Sequence, residues 1–145
     1  MLDRHAIATR IPHEGDMSLL DTVIEWDATH IRCTAVSHRQ ADNPLRSAGQ
    51  LGVAAGIEYA AQAMAVHGGL LAVDTAPPRQ GYLASVRQVQ FHVLRLDDLP
   101  ADLHIAAERL SGDATQVLYR FTLSSDGTPV LDGRAAVILD AGALS

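Results

Sequence analysis

Residues Gly56 to Leu70 read GIEYAAQAMAVHGGL, and the glutamate is the letter that does not belong. Its neighbours are small or apolar, among them Leu51, Val53, Ile57, Ala60, Ala63, Met64 and Val66. A segment apolar nearly all round belongs in a core rather than on a surface. The pattern predicts a buried helix over Leu51–His67, stopped by Gly68-Gly69. A carboxylate is rarely buried without a partner or a use. Glu58 therefore stands out, with Gln62 one turn later on the same helix face.

The segments around this helix have the pattern of sheet. Thr22–Trp26 and Ile31–Val36 are short runs of β-branched and apolar residues, joined by a turn at Asp27-Ala28-Thr29. The polar stretch SHRQADNPLRSAG carries Pro44 and is loop, and Pro77-Pro78 closes another. Val89, Phe91 and Val93 alternate with Gln90 and His92. Val117, Tyr119, Phe121 and Leu123 alternate with polar residues, Leu118 excepted, which is the clearest strand pattern in the chain. Gly112-Asp113 and Asp126-Gly127 sit where hairpin turns are wanted, giving about three antiparallel strands between Asp102 and Leu139. One long buried helix with five or six mostly antiparallel strands is an α+β arrangement. The economical way to bury such a helix is to wrap the sheet around it and close the remainder with a second copy. That shape is the hotdog fold, expected here as a single domain over residues 1–145 that dimerises through sheet edges.

Composition removes whole classes of function. At 145 residues the chain is long enough for one domain with a core and too short for two. A net charge of −6 argues against a nucleic-acid backbone binder, which needs a clustered positive face. All 11 basic side chains are arginine, so Schiff-base chemistry, pyridoxal-phosphate attachment and a P-loop lysine are absent. Cys33 is the one cysteine, which rules out a disulfide framework and a thiolate zinc site and marks it as core filler. The N-terminal stretch shows no basic start followed by an apolar run, and Glu58, Gln62 and His67 interrupt the Leu51–Val73 segment. The expectation is a cytoplasmic protein with no membrane span. Gly49, Gly52 and Gly56 do not form a G-x-G-x-x-G loop. His5, His30, His92 and His104 lack metal-ligand spacing, so no metal is expected.

Three segments carry a resemblance. Arg10-Ile11-Pro12-His13, then Met17-Ser18-Leu19-Leu20-Asp21-Thr22-Val23, resembles the opening of FabZ-type β-hydroxyacyl-ACP dehydratases. Glu58-Tyr59-Ala60-Ala61-Gln62 keeps the Glu and Gln of their catalytic helix at the same spacing. Val89-Gln90-Phe91-His92-Val93, followed by Asp97-Asp98-Leu99, is similar to the family's later strand and turn. More closely, SHR, DNPLR and GIEYAAQAMAVHG look like the dehydratase-like hotdog subunits of aryl polyene biosynthesis.

The resemblance implies a 3-hydroxyacyl-thioester dehydratase, whose chemistry needs a base for the α proton, an acid for the departing hydroxyl and a donor for the enolate oxygen. Glu58, desolvated in an apolar pocket, would be the acid. Backbone N–H groups at Gly52 and Val53 would form the oxyanion contact, and Gln62 would orient Glu58 or a neighbouring loop. The family's base is a histidine fourteen residues before the acid, where this chain has Pro44. Matching Gly52-Val53 to the family's Gly-Val instead puts Asn43 at that position. His38 stands twenty residues before Glu58 and would have to reach the site from a longer loop. A working dehydratase with His38 as base, a degenerate subunit of a heteromer, and a thioesterase using Glu58 to activate water therefore all stay open. His13, in the Pro-His segment, is structural or substrate-binding rather than catalytic, and Tyr59 is placed on the substrate side. His67 is expected as a dipole partner at the helix end or as a core group. No cofactor is expected beyond the phosphopantetheine of an acyl carrier protein, the implied partner, with Arg39, Arg46, Arg79 and Arg87 as docking candidates. The other implied partner is a second hotdog chain, as homodimer or heterodimer.

Overall fold

A computed structural model describes residues 2–8, 19–71, 81–113 and 115–139. His13, Arg79 and Pro77-Pro78 lie outside the described residues. A short helix, α1 (Arg4–Ala8), precedes the hairpin β1 (Thr22–Trp26) and β2 (His30–Ala35). The long helix α2 (Gly56–Leu71) follows, then β3 (Gly81–Phe91), β4 (Leu103–Gly112), β5 (Gln116–Ser125) and β6 (Thr128–Leu139). These form one six-stranded sheet of order β1-β2-β4-β5-β6-β3, with every pairing antiparallel.

Alternation along β5 places Val117, Tyr119, Phe121 and Leu123 on the inner face and Gln116, Leu118, Arg120 and Thr122 outside. Asp126 (φ 51°) and Gly127 (φ 76°) make the β5–β6 turn, with both residues in the left-handed region that a two-residue hairpin of this twist needs. Helix α2 lies against the inner faces of β2, β4, β5 and β3. Gly56 makes the closest approach: a Cβ there would overlap Leu131 Cδ2.

The helix differs from the sequence expectation at both ends. Val53–Ala55 is a 3-10 turn, and the α-helix begins at Gly56. It then runs through Gly68 and Gly69 to Leu71. Each glycine weakens a helix by only about 1 kcal/mol relative to alanine, so two of them do not by themselves end it. The all-round apolar pattern also hides two unlike faces. Tyr59, Ala60, Gln62, Ala63, Met64 and Val66 are buried, whereas Ile57, Glu58, Ala61 and Ala65 form a half-buried stripe. The third strand is longer than its alternation suggested and ends at Phe91, so Val93 falls in the bend beyond it.

The β5 register can be checked by truncation. Leu123→Ala, at a site 1% exposed, should cost about 2–5 kcal/mol in chemical unfolding. Leu118→Ala, 40% exposed on the opposite face, should cost less than about 1 kcal/mol. Equal losses would contradict the register.

Candidate active site

The lead-in to α2 is stitched to the segment after β3. Val53 N–H donates to the Leu94 carbonyl (3.1 Å), Leu96 N–H donates to the Leu51 carbonyl (2.7 Å), and Gly52 faces Arg95 between them. Asp97, 6% exposed, accepts Leu51 N–H at 3.0 Å and Arg95 Nε at 2.9 Å. A second Arg95 nitrogen closes the fork, and this guanidinium holds the Asp97 carboxyl well below the usual carboxylate range. Arg46 stands 3.7 Å away on the other side and donates to the carbonyls of Gln40 (2.8 Å) and Gly49 (2.9 Å). The polar loop is thereby folded onto the start of the helix. Sequence reasoning missed this clamp, because no local pattern links Arg46 to Asp97. The one signal available was an Arg and an Asp two residues apart, Arg95 and Asp97, in a non-strand segment.

A buried polar cluster lies behind the helix. Ser37 Oγ donates to the Leu19 carbonyl (2.8 Å), so it receives the Tyr59 hydroxyl proton at 2.8 Å. Asn43 Nδ2 donates to Tyr59 OH (3.1 Å) and to the Ser37 carbonyl (2.9 Å), while its Oδ1 accepts Leu45 N–H (2.9 Å). Gln62, fully buried, accepts Leu19 N–H at 2.9 Å, which anchors the residues ahead of β1. Tyr59 is 0% exposed. Its hydroxyl holds Ser37 and Asn43 together. Ser37 was not singled out in the sequence, where a lone serine in a polar loop carries no signal.

His38 sits in a 3-10 turn, Ser37–Arg39, and is 0% exposed. Its Nε2 lies 3.2 Å from the Leu99 carbonyl and 3.0 Å from the Ala101 carbonyl. Carbonyls only accept, so the proton is on Nε2 and Nδ1 carries the lone pair. Among the described residues Nδ1 is buried without a hydrogen-bond partner. Burial is the main cause holding the ring below its usual pKa, so it is neutral at neutral pH. The loop turns the imidazole inward, onto the β3–β4 connection. No sequence pattern signalled these contacts, because both carbonyls come from a segment more than sixty residues away.

Glu58 occupies the first turn of α2 and is half-buried. It lies on the stripe shared with Ile57, Ala61 and Ala65, not in the enclosed apolar pocket expected for it. Of the two expected oxyanion donors, Val53 N–H is already given to Leu94, which corrects that part of the expectation. Gly52 forms the non-hydrogen-bonded member of its bridge, so its N–H points away from Arg95. No side chain lies within 4 Å of the space a Cβ would take there.

The remaining candidates have structural partners. His67 is buried inside α2 rather than at its end, donating from Nε2 to the Asp27 carbonyl (2.8 Å) and accepting the Tyr119 hydroxyl at Nδ1 (2.7 Å). Burial keeps it below its usual pKa and pushes the Tyr119 hydroxyl up to about 12. His30 pairs with Glu108, and His92 with Asp132. Cys33 is buried in β2, its thiol pushed up to about 12 by burial. Among the described residues no group of three or more His, Cys, Asp or Glu is placed to hold a metal, and no helix is long and apolar enough to cross a membrane.

An antiparallel sheet wrapped on one long helix, with a carboxylate in that helix's first turn, defines a hotdog-fold protein. The family described as ApeP-like, ApeP dehydratase, matches residues 5–142, and the chain belongs to it. Among solved structures, it is similar to the dehydratase heterocomplex ApeI:P from Xenorhabdus doucetiae. That match has a TM-score of 0.81 at 25% identity, over 92% of this chain and 90% of that one. The PaaI protein of E. coli, from the phenylacetic acid degradation operon, matches with a TM-score of 0.64 at 12% identity, over 93% and 88% of the two chains. A hypothetical thioesterase with coenzyme A from Streptococcus pneumoniae matches with a TM-score of 0.62 at 13% identity, over 94% of each. Both of these share the fold. No curated protein sequence matches.

His38 and His67 together determine a pH response. Both are held below the ordinary value of 6.5 by burial, so just below that pH the folded chain binds fewer protons than the unfolded one. Their contribution to stability is complete above pH 6.5 and is lost as pH falls through the folded-state values. The melting temperature should decrease between about pH 7 and pH 5, and His67→Gln should flatten that decrease. A melting temperature that rises on acidification over this range would contradict the two neutral rings.

Proposed function

We propose that this chain is one subunit of a 3-hydroxyacyl-[acyl carrier protein] dehydratase in a fatty-acid-like or polyene pathway, acting with a second hotdog chain. Glu58 is the general acid: it protonates the hydroxyl at C3 as the C–O bond breaks and water leaves. A histidine of the second chain removes the α proton, and Gly52 N–H donates to the enolate oxygen. The substrate is a thioester on the phosphopantetheine of a carrier protein, and elimination of water requires no further cofactor. One observation carries the reading. Glu58 lies on the half-buried stripe of α2, while His38, and Asn43 at the position where the family carries its histidine, are held inside the chain. Two further features support it: the ApeI:P neighbour is a heterocomplex, and β3 is an edge strand with Leu83 and Phe91 exposed, which suits pairing with a second sheet.

A second reading, a self-sufficient homodimer with His38 as base, is favoured by the neutral ring and its unpartnered Nδ1. It requires the β3–β4 connection to open.

The test compares this protein alone with a mixture containing a histidine-bearing hotdog subunit, on 3-hydroxyacyl carrier protein. The mixture should dehydrate the substrate and the isolated chain should not. Glu58→Gln should lower turnover of the mixture by roughly a hundred- to ten-thousand-fold with circular dichroism unchanged. His38→Ala should leave the mixture's rate intact. Activity of the isolated chain that disappears in His38→Ala would establish the second reading. Near wild-type dehydration by Glu58→Gln would reduce Glu58 to a structural acid, and release of free acid would point to a thioesterase.

A further inference from the structure

Strand register brings together charges that are far apart in the sequence. His30 lies opposite Glu108, Glu108 opposite Arg120, Arg120 opposite Arg134, and Arg134 opposite Arg87. Directly opposed residues point to the same face, here the outer face that α2 does not cover. Glu108 is shared between His30 (3.0 Å) and Arg120 (3.2 Å), so it balances its end of the row. Asp132, one rung along, is held by His92 at 2.8 Å. Arg134 and Arg87 are both exposed, and among the described residues neither forms an ion pair. Like charges directly opposite each other destabilise a sheet. A chain of net charge −6 has nonetheless placed three guanidinium groups side by side. A bulge with Gln88 at φ 54° follows Arg87 and leaves it opposite Arg134.

We propose that this row docks the acidic face of the carrier protein that delivers the substrate; the inference rests on the proposed function. Strands lie about 4.8 Å apart, so the three arginines span roughly 10 Å in a line. Carboxylates along one face of a helix recur every 5–6 Å or so, which matches that row and allows forked contacts. Beside the arginines, Leu118 (40% exposed) and Ile138 (44% exposed) border the same face. A cleft of 460 Å³ is lined by Arg87, Arg134 and Leu118, giving apolar side chains of a protein partner a place to seat. A free phosphate fits less well, since the guanidinium groups stand in a line and do not converge. A second copy of this chain would meet arginine with arginine. Of the docking candidates taken from the sequence, Arg39 is tied to the Pro100 carbonyl and Asp102. Arg46 is committed to the loop and Asp97, so among the described candidates only Arg87 keeps its charge available.

Binding of holo-acyl carrier protein, measured by fluorescence anisotropy across a salt series, tests this without requiring turnover. Arg134→Glu and Arg87→Glu should each raise Kd at least tenfold and flatten the salt dependence. Arg32→Glu, the same charge change at an arginine paired with Glu25, should stay within twofold of wild type. In the mixture with a histidine-bearing hotdog subunit, the Arg134 and Arg87 variants should raise KM for carrier-linked substrate with kcat nearly constant. Arg134→Gln should melt at the wild-type temperature or above, because it relieves repulsion. Wild-type affinity in Arg134→Glu and Arg87→Glu overturns the proposal, as does a wild-type chain that does not bind the carrier. Unchanged carrier affinity with lost assembly by light scattering would instead make this face a subunit contact and also overturn it. A chain that binds the carrier through this row, yet dehydrates nothing even when mixed with a histidine-bearing hotdog subunit, would refute the proposed function and leave the docking face standing.

Discussion

Asp97 is the anion on which the rest of the site depends. It is nearly buried, and a buried carboxylate persists only where donors replace its lost water. Here the donors are the Leu51 amide and the guanidinium of Arg95, with Arg46 close by. Each comes from a different stretch of chain, so one charge fixes the start of α2, the segment after β3 and the polar loop relative to one another. The position of Glu58 follows from that junction, since it lies in the first turn of the helix that the junction aims.

The buried polar residues divide between support and chemistry. Ser37, Tyr59 and Asn43 satisfy one another, and Gln62 satisfies the backbone of Leu19. Each would carry a desolvation penalty if its partner were removed, so the network holds the loop in one conformation. His38 is the exception, because one of its ring nitrogens is buried without a partner. Glu58 lies on a different, half-buried stripe of the helix, with Ile57, Ala61 and Ala65.

The sheet has two outward-facing features of different kinds. Its β3 edge offers unpaired backbone, which suits strand pairing with another hotdog chain. Its outer face offers aligned positive charge with apolar margins, which suits an acidic protein surface. The two features meet at β3, where edge pairing would use the backbone and carrier docking would use the Arg87 side chain on the outer face.

The sequence by itself determined what depends on near neighbours. Alternation in Val117–Leu123, the Asp126-Gly127 turn and the apolar run after Gly56 are local patterns, and they were sufficient for an α+β hotdog chain with Glu58 and Gln62 on its helix. The family resemblance added the expected chemistry. Tertiary structure alone decided which face of α2 is covered, since a run apolar on every side carries no moment to mark one. It also turned His38 inward through carbonyls at Leu99 and Ala101, spent the Val53 amide on Leu94, and set Arg87, Arg134 and Arg120 in a row. The physical reason is common to all of these. Each depends on hydrogen bonds or strand register between segments distant along the chain, and residue periodicity records only what lies within a few positions.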